Sequence, residues 1–410
     1  MQGASPDSGL RFGAFVVTIA VIQTIVALAI DMMVPALGNI AAALNLGSGN
    51  ARQWVIASFV ISFGISQLAY GLVADRFGRK PVLLLSLALY ALGSFTAAAA
   101  HGFAMLLAAR ALQGFGAAGA QVLSTAIVRD RYAGRQMARV NSLSFMVFLS
   151  APIIAPWLGQ ELLSIAPWQA IFIALGLYAS LTLLWVFWRL PETQAHEDRR
   201  PLAWSAFRIA ASQTLSNRTS LGYTLAAMLM LGAWLGFINS AQQVFTDIFN
   251  APKLFPPVFA LCAGSMAVAA LTNARLVERF GMRRLAHGAM VGFILIAAAQ
   301  ALTAFSGQDT LLHFALLQTM MMFGFGLLAG NFSAISMEPL GHIAGTAAAV
   351  QGFLNMFGSA LIGIFIGLEF DDSLRPLAAG FCLCGALSLV VIAFAEQGRL
   401  FQPHSADQGA

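Results

Sequence analysis

A chain of 410 residues that is 59% hydrophobic and only 10% charged lies far from a typical soluble domain, where roughly 25% of residues carry charge; so much apolar surface needs lipid as its solvent. The net charge of +5 sits in loops and follows membrane topology, so it gives no reason to expect nucleic-acid binding. Cys262, Cys382 and Cys384 all fall inside apolar runs, and the six histidines are scattered, which favours small buried side chains over a disulfide framework or a metal centre.

A helix needs about 20 apolar residues to cross a bilayer. Runs of that length recur throughout, without the short alternating strands of a barrel. They predict twelve spans at 12–44, 52–73, 82–100, 103–128, 136–160, 167–189, 220–246, 254–276, 285–306, 311–335, 342–368 and 376–396. The first run starts near Phe12 and passes Leu37, too long for a signal-peptide core and without a convincing cleavage site; it reads as a retained first span. Its end, around Asn39–Leu44, projects beyond the bilayer.

Within that span, Asp31 is the one carboxylate well inside any predicted span. An intramembrane carboxylate is a functional candidate by default. Burial and a nearby Arg110 would pull its protonation in opposite directions, which suits a group that takes a proton on one side and releases it on the other. The alternative places Asp31 at the outer interface, capping a break at Pro35.

Between the second and third spans runs Gly71-Leu72-Val73-Ala74-Asp75-Arg76-Phe77-Gly78-Arg79-Lys80-Pro81. A second copy, Ala274-Arg275-Leu276-Val277-Glu278-Arg279-Phe280-Gly281-Met282-Arg283-Arg284, follows at an offset of 203, close to half the chain. A membrane protein whose halves repeat is usually a transporter. Gly71 would let two helices approach closely, and Gly78 permits a tight turn. Asp75 can pair with Arg79 or with charges ending the fourth span, Arg129 and Asp130. Such pairs either act as a gate that breaks on opening or are surface pairs worth little.

In the fourth span, Arg110 would cost about 2.5–3.5 kcal/mol in lipid, so it faces protein or water, unless it snorkels to the outer end about two turns away. Gln113 lies one turn on, on the same face, and Gly114, Gly116 and Gly119 allow close helix packing. In the fifth span, Pro152 and Pro156 each remove a helix hydrogen bond and predict a kink. The longest loop, from Arg189 to about Thr219, carries Trp204, Phe207 and Leu215 on a short helix expected to lie on the membrane surface. It divides the chain into a six-span half (1–189), a linker (190–219), a second six-span half (220–396) and a tail (397–410). Glu338, between spans ten and eleven, either pairs with Arg279 or Arg283 as a gate or caps the helix before Pro339.

Lys and Arg give the orientation. With a cytosolic N-terminus, eighteen of the 22 fall on one side, Arg110 lies inside a span, and only Arg52, Lys253 and Arg375 fall on the other. Both termini are therefore expected in the cytosol.

The duplicated loop resembles the signature of the major facilitator superfamily, and Arg110 to Gly119 is similar to its fourth-span motif, Arg-x-x-x-Gly with small residues following. Ser150 to Gly159 resembles the fifth-span motif of drug–proton antiporters, Gly-x-x-x-Gly-Pro-x-x-Gly-Gly, although the first glycines are replaced and Trp157 or Leu158 stands for one of the last pair. Asp31-Met-x-x-Pro-Ala-Leu, the Ala-Pro-x-x-Ala-Pro of span five, and Glu338-Pro339-Leu340-Gly341-His342-Ile343-Ala344-Gly345-Thr346-Ala347 together look like the bicyclomycin and chloramphenicol/florfenicol resistance subgroup. This resemblance covers essentially the whole chain. It implies an all-α integral membrane fold, two pseudo-symmetric six-helix bundles in a bacterial inner membrane, and proton-coupled efflux of small amphipathic or neutral compounds such as amphenicol- or bicyclomycin-type antibiotics.

In that fold spans one, four, seven and ten line the substrate path, which makes Gln23, Gln113, Asn239, Gln242 and Asn331 the candidates for substrate binding; each could equally be an interhelical bond. Asp31 and Arg110 become the proton-coupling pair. Gly71, Asp75, Arg76, Gly78, Arg79, Asp130, Glu278, Arg279 and Glu338 become the cytosolic gate. The expected partners are protons, a small-molecule substrate and the lipid bilayer, for a monomer without cofactor. A carrier for an endogenous metabolite shares the fold and remains the alternative. An enzyme would need a nucleophile–base pair or metal cluster, and a nucleotide-driven pump a phosphate-binding loop; the sequence displays neither.

Overall fold

The computed structural model describes residues 10–46, 49–132, 134–194 and 204–402, and every structural statement below concerns these. The chain is helical from end to end. Helix α1 (Phe12–Asp31) gives way at Pro35 to a single tight turn, Val34–Ala36, and resumes as α2 (Leu37–Ala43). Proline has no N–H to continue the ladder, so the long first run is a span with a break, its extra length being α2. Next come α3 (Trp54–Phe77), α4 (Arg79–Ala98), α5 (Phe103–Arg131), α6 (Gly134–Ile165) and α7 (Gln169–Arg189). The linker contributes α8 (Trp204–Ser216), the short helix expected there. The second half holds α9 (Arg218–Gln243), α10 (Phe255–Phe280), α11 (Met282–Ser306), α12 (Leu311–Met337), α13 (Ala344–Phe353), α14 (Ser359–Leu368) and α15 (Arg375–Ala395).

Eleven helical segments of the described residues are long and apolar enough to cross a membrane. The remaining long helix, α6, carries the fifth expected span and runs unbroken through Pro152 and Pro156. Asn217 starts α9 by accepting from the Ser220 N–H at 2.9 Å, satisfying one of the donors a helix N-terminus leaves open.

The chain forms two compact units, Met1–Leu46 with Ser58–Trp204, and Gly47–Ala57 with Ser205–Ala410. In the first, α4 packs on α5 and α7, and α1 on α6. The α3–α5 and α4–α5 approaches depend on missing side chains. A Cβ at Gly114 would land on the Phe59 carbonyl, and one at Gly116 on the Tyr90 backbone. Gly71, expected to serve the same purpose, has nothing within 4 Å of where a Cβ would sit, so close helix approach is not its role in this structure. In the second unit α9 packs on α12, α14 and α15, and α12 on α10 and α11. Two π turns, Val244–Ile248 and Leu354–Gly358, interrupt the α-helical hydrogen bonding there. The duplicated loops close alike: Gly78 has φ 99° and Gly281 φ 77°, a backbone that side chains avoid.

Candidate functional site

Asp31 ends α1 and is 2% exposed. Its Oδ1 has no hydrogen-bond partner, and no other Asp or Glu of the described residues is buried. The turn at Val34–Ala36 has no side-chain cap, so Asp31 does not cap the break at Pro35. Helix α6 holds this point: a Cβ at Gly159 would fall on the Met32 carbonyl, so only a glycine lets α6 come this close to the residue after Asp31. An ionised carboxylate is costly to bury without a partner, which ties the protonation of Asp31 to the packing around it.

Arg110 is fully buried, which removes the snorkelling alternative. Its guanidinium lies over the Phe59 ring at 4.5 Å and the Phe172 ring at 5.9 Å, and Nη1 donates to Gln113 Oε1. Gln113 Nε2 in turn donates to Ser94 Oγ at 2.7 Å. The expected Arg110–Asp31 pair is not among the ion pairs of the described residues. Arg110 instead joins α3, α5 and α7 of the first unit, stacking on apolar ring faces.

The five substrate candidates separate by their bonding. Gln113 is 0% exposed with both amide ends engaged inside the first unit. Asn331 uses its Nδ2, donating to Asn273 Oδ1 at 2.6 Å and to the Leu327 carbonyl at 2.8 Å. Gln23 makes one long bond, Nε2 to Ser124 Oγ at 3.5 Å. Gln242 Oε1 accepts from Arg52 Nη1 at 3.1 Å. Asn239 is 3% exposed and its Oδ1 has no partner; of the five it is the one with a buried, unused acceptor.

The gate candidates form one cluster in each unit. In the first, Arg79 Nη1 bonds Asp75 Oδ1 at 2.7 Å and its Nε bonds Asp130 Oδ2 at 3.0 Å. Glu192, which sequence reasoning missed, accepts from the Arg79 and Lys80 main-chain N–H groups at 3.0 and 3.2 Å, capping α4 where its dipole favours an anion. Arg76 is exposed and outside these pairs. In the second unit, Arg283 Nη2 bonds Glu338 Oε2 and its Nε bonds Glu396 Oε1, each at 2.9 Å. Glu338 thus pairs with Arg283, one of the two expected partners. The repeat breaks at Glu278 and Arg279, both exposed and outside these ion pairs. The reason is spacing. Asp75, in the last turn of α3, and Arg79, the first residue of α4, meet across the turn at Gly78; at the place of Arg79 in the second loop stands Met282, and the working arginine comes one later.

The short stretch of the second unit that precedes Ser58 was also not anticipated. Arg52 Nη2 pairs with Asp247 Oδ2 at 3.2 Å, and Asn50 Nδ2 reaches the Leu368 and Phe370 carbonyls, each at 2.9 Å. Gln53 Nε2 donates to Gln243 Oε1 at 3.1 Å. The available signal was Arg52, one of the few basic residues on the sparse side of the charge count.

The model of the Major Facilitator Superfamily matches residues 19–363. An uncharacterized MFS-type transporter of Bacillus subtilis, YdgK, is 30% identical over 85% of this chain and 87% of that protein. A bicyclomycin resistance protein homolog of Haemophilus influenzae is 27% identical over 94% of this chain and 97% of its own length. The multidrug resistance protein MdtL of Escherichia coli is 28% identical over 92% and 94%. Among solved structures, a D-xylose–proton symporter superposes with a TM-score of 0.70 at 14% identity, covering 92% of this chain and 97% of that one. The human organic anion transporter MFSD10 gives 0.69 at 20%, covering 94% and 100%. These two likenesses speak for the fold. With its helical membrane architecture, duplicated loops and this family match, the chain belongs to the major facilitator superfamily, as a multi-pass membrane transporter.

Proposed function

We propose that this protein exports small amphipathic or neutral compounds, of amphenicol or bicyclomycin type, in exchange for protons across a bacterial inner membrane, with both termini in the cytosol. The observation that carries the reading is Asp31, the one buried acid among the described residues, with a carboxylate oxygen that has no hydrogen-bond partner among them. The names of the Haemophilus influenzae and Escherichia coli relatives support the substrate class. A proton arriving from outside binds Asp31 and removes its charge. The two protonation states then favour different conformations, which is the condition for coupling. Asn239, with its unused acceptor, is the polar contact assigned to substrate. Arg110 holds the helices around the proton site in place. The pairs of Arg79 and Arg283 break and re-form as access alternates.

The test uses inverted vesicles energised to an acid interior and loaded with a fluorescent proton probe. Amphenicols, bicyclomycin-like compounds, lipophilic cations and small metabolites are added one at a time. Dequenching on addition of an antibiotic is the expected result. Measurable substrate flux without dequenching for any compound would replace this reading with an uncoupled or symporting metabolite carrier.

A further inference from the structure

The chain does not run free after α15. It turns through Gln397 and Gly398, at φ 56° and 76°, with the Gly398 N–H on the Ala393 carbonyl at 2.8 Å and the Arg399 N–H on the Glu396 carbonyl at 3.0 Å. That turn lays Phe401 against the start of α11. The Phe401 main-chain N–H donates to His287 Nδ1 at 2.9 Å, and its carbonyl accepts from Arg284 Nε at 3.1 Å. The two rings meet edge to face at 5.4 Å.

His287 is 0% exposed, and both its ring nitrogens are engaged. Nε2 lies 2.9 Å from Tyr223 Oη, which is also 2.9 Å from Glu396 Oε1. A main-chain N–H can only donate, so Nδ1 must offer a lone pair. Tyr223 then gives its hydrogen to Glu396, which can only accept while ionised, and takes one from Nε2. One arrangement satisfies every group: a neutral imidazole with its hydrogen on Nε2, passing donors from Phe401 through His287 and Tyr223 to Glu396. Arg283 Nε donates to the same Glu396 oxygen at 2.9 Å.

We propose that His287 is a proton-operated latch for the C-terminal segment. Neutral His287 holds residues 396–402 against α11. A proton on Nδ1 removes the acceptor that Phe401 uses, sets N–H against N–H, and releases the segment. The charged and titratable groups facing the ring are Glu396 at the end of α15, Tyr223 from α9, and Arg283 and Arg284 on its own helix; Glu338, after α12, is reached through Arg283. Glu396 favours the imidazolium and the two arginines oppose it. The main-chain donor then decides, because no rotation of the ring lets a doubly protonated imidazole accept it. The latch is therefore held above the titration of His287 and lost as pH falls. On the charge-count orientation the segment lies in the cytosol, so the protein would register cytosolic acid there, independently of Asp31.

Hydrogen exchange on the full chain in nanodiscs tests this, comparing pH 8 with pH 5.5 after correction for intrinsic exchange. Wild-type protection at residues 399–402 should fall at least tenfold on acidification. In His287→Asn the amide oxygen can replace Nδ1 as acceptor but cannot titrate, so protection should persist at both pH values. Unchanged wild-type protection, or a pH response that survives His287→Asn, overturns the latch. Should His287→Asn not fold, Phe401→Pro decides, since outside the helices it removes the donor, the ring on His287 and the φ of 65° that proline cannot adopt. That segment must exchange freely at both pH values, and retained protection overturns the proposal.

Discussion

Asp31→Asn separates coupling from folding, and the structure sets the size of the effect. Asn keeps the shape of the side chain while removing the titrating group. It replaces an orphan carboxylate oxygen, 2% exposed at the residue level, by a neutral amide, so no ion pair is broken and no cavity is opened. Stability should stay within about 1 kcal/mol of wild type, because the buried charge removed had no partner to lose. Coupling should vanish. Asp31 is the only buried acid of the described residues, which points to one proton per cycle. A gradient of one pH unit is worth about 1.36 kcal/mol per proton, a tenfold concentration ratio.

The assay is proteoliposomes with the membrane potential clamped to zero, an imposed gradient of one pH unit, and a neutral labelled substrate. Wild type should accumulate the substrate about tenfold on the acidic side at steady state, following that same arithmetic. Asp31→Asn should reach no accumulation while still exchanging labelled for unlabelled substrate at equal pH. Accumulation by the Asn variant would refute the assignment of the proton site. A wild-type ratio near a hundredfold would refute the one-proton count and require a second acid.

Two further predictions contrast residues that look alike in the sequence. Arg79→Gln leaves Asp130 and the half-exposed Asp75 without their cation and should cost about 2 kcal/mol, the value of charge-assisted bonds discounted for exposure. Glu278→Gln, at the matching place in the second loop, should change stability by less than about 0.5 kcal/mol; thermal unfolding in detergent reads both, and equal effects would contradict the asymmetry of the two loops. Asn331→Ala should lower stability by about 1 kcal/mol through the bond to Asn273. Asn239→Ala should leave stability nearly unchanged and raise the substrate concentration for half-maximal transport; the reverse pattern would exchange their roles.

The spans were legible because lipid imposes one rule on every residue of a crossing helix, so a run of about 20 apolar side chains is sufficient signal. Asp31 stood out for the same reason, as a charge where the rule forbids one. The Asp75–Arg79 pair was legible because only the tight turn at Gly78 separates the acid ending one helix from the arginine opening the next. What could not be read were contacts between distant segments. Gln113 looked like a free amide until Ser94 of the neighbouring helix was seen to accept from it. Glu192, Glu396, Tyr223 and His287 lie 64 to 173 residues from their main partners, and nothing local distinguishes them from ordinary loop or core residues.

The repeat itself shows how far a motif carries. Matched by residue type, the two loops are offset by 203, which aligns Glu278 with Asp75 and Arg279 with Arg76. Matched by the arginine that carries the ion pairs, Arg79 corresponds to Arg283, an offset of 204; Glu192, also 204 before Glu396, accepts from main-chain N–H groups where Glu396 accepts from the Arg283 guanidinium. The extra residue falls at the start of α11, where one position turns a side chain by about 100° at 3.6 residues per turn. That rotation carries the arginine away from Glu278 and toward Glu338 and Glu396. The same carboxylate of Glu396 thereby anchors Tyr223 and, through it, His287. A single residue of helix phase thus separates a loop that closes on its own acid from one that closes on the end of its bundle. In the second loop the acid at the motif position keeps its charge, as Glu278 for Asp75, but has no ion pair among the described residues, which a comparison of residue types alone would score as a match.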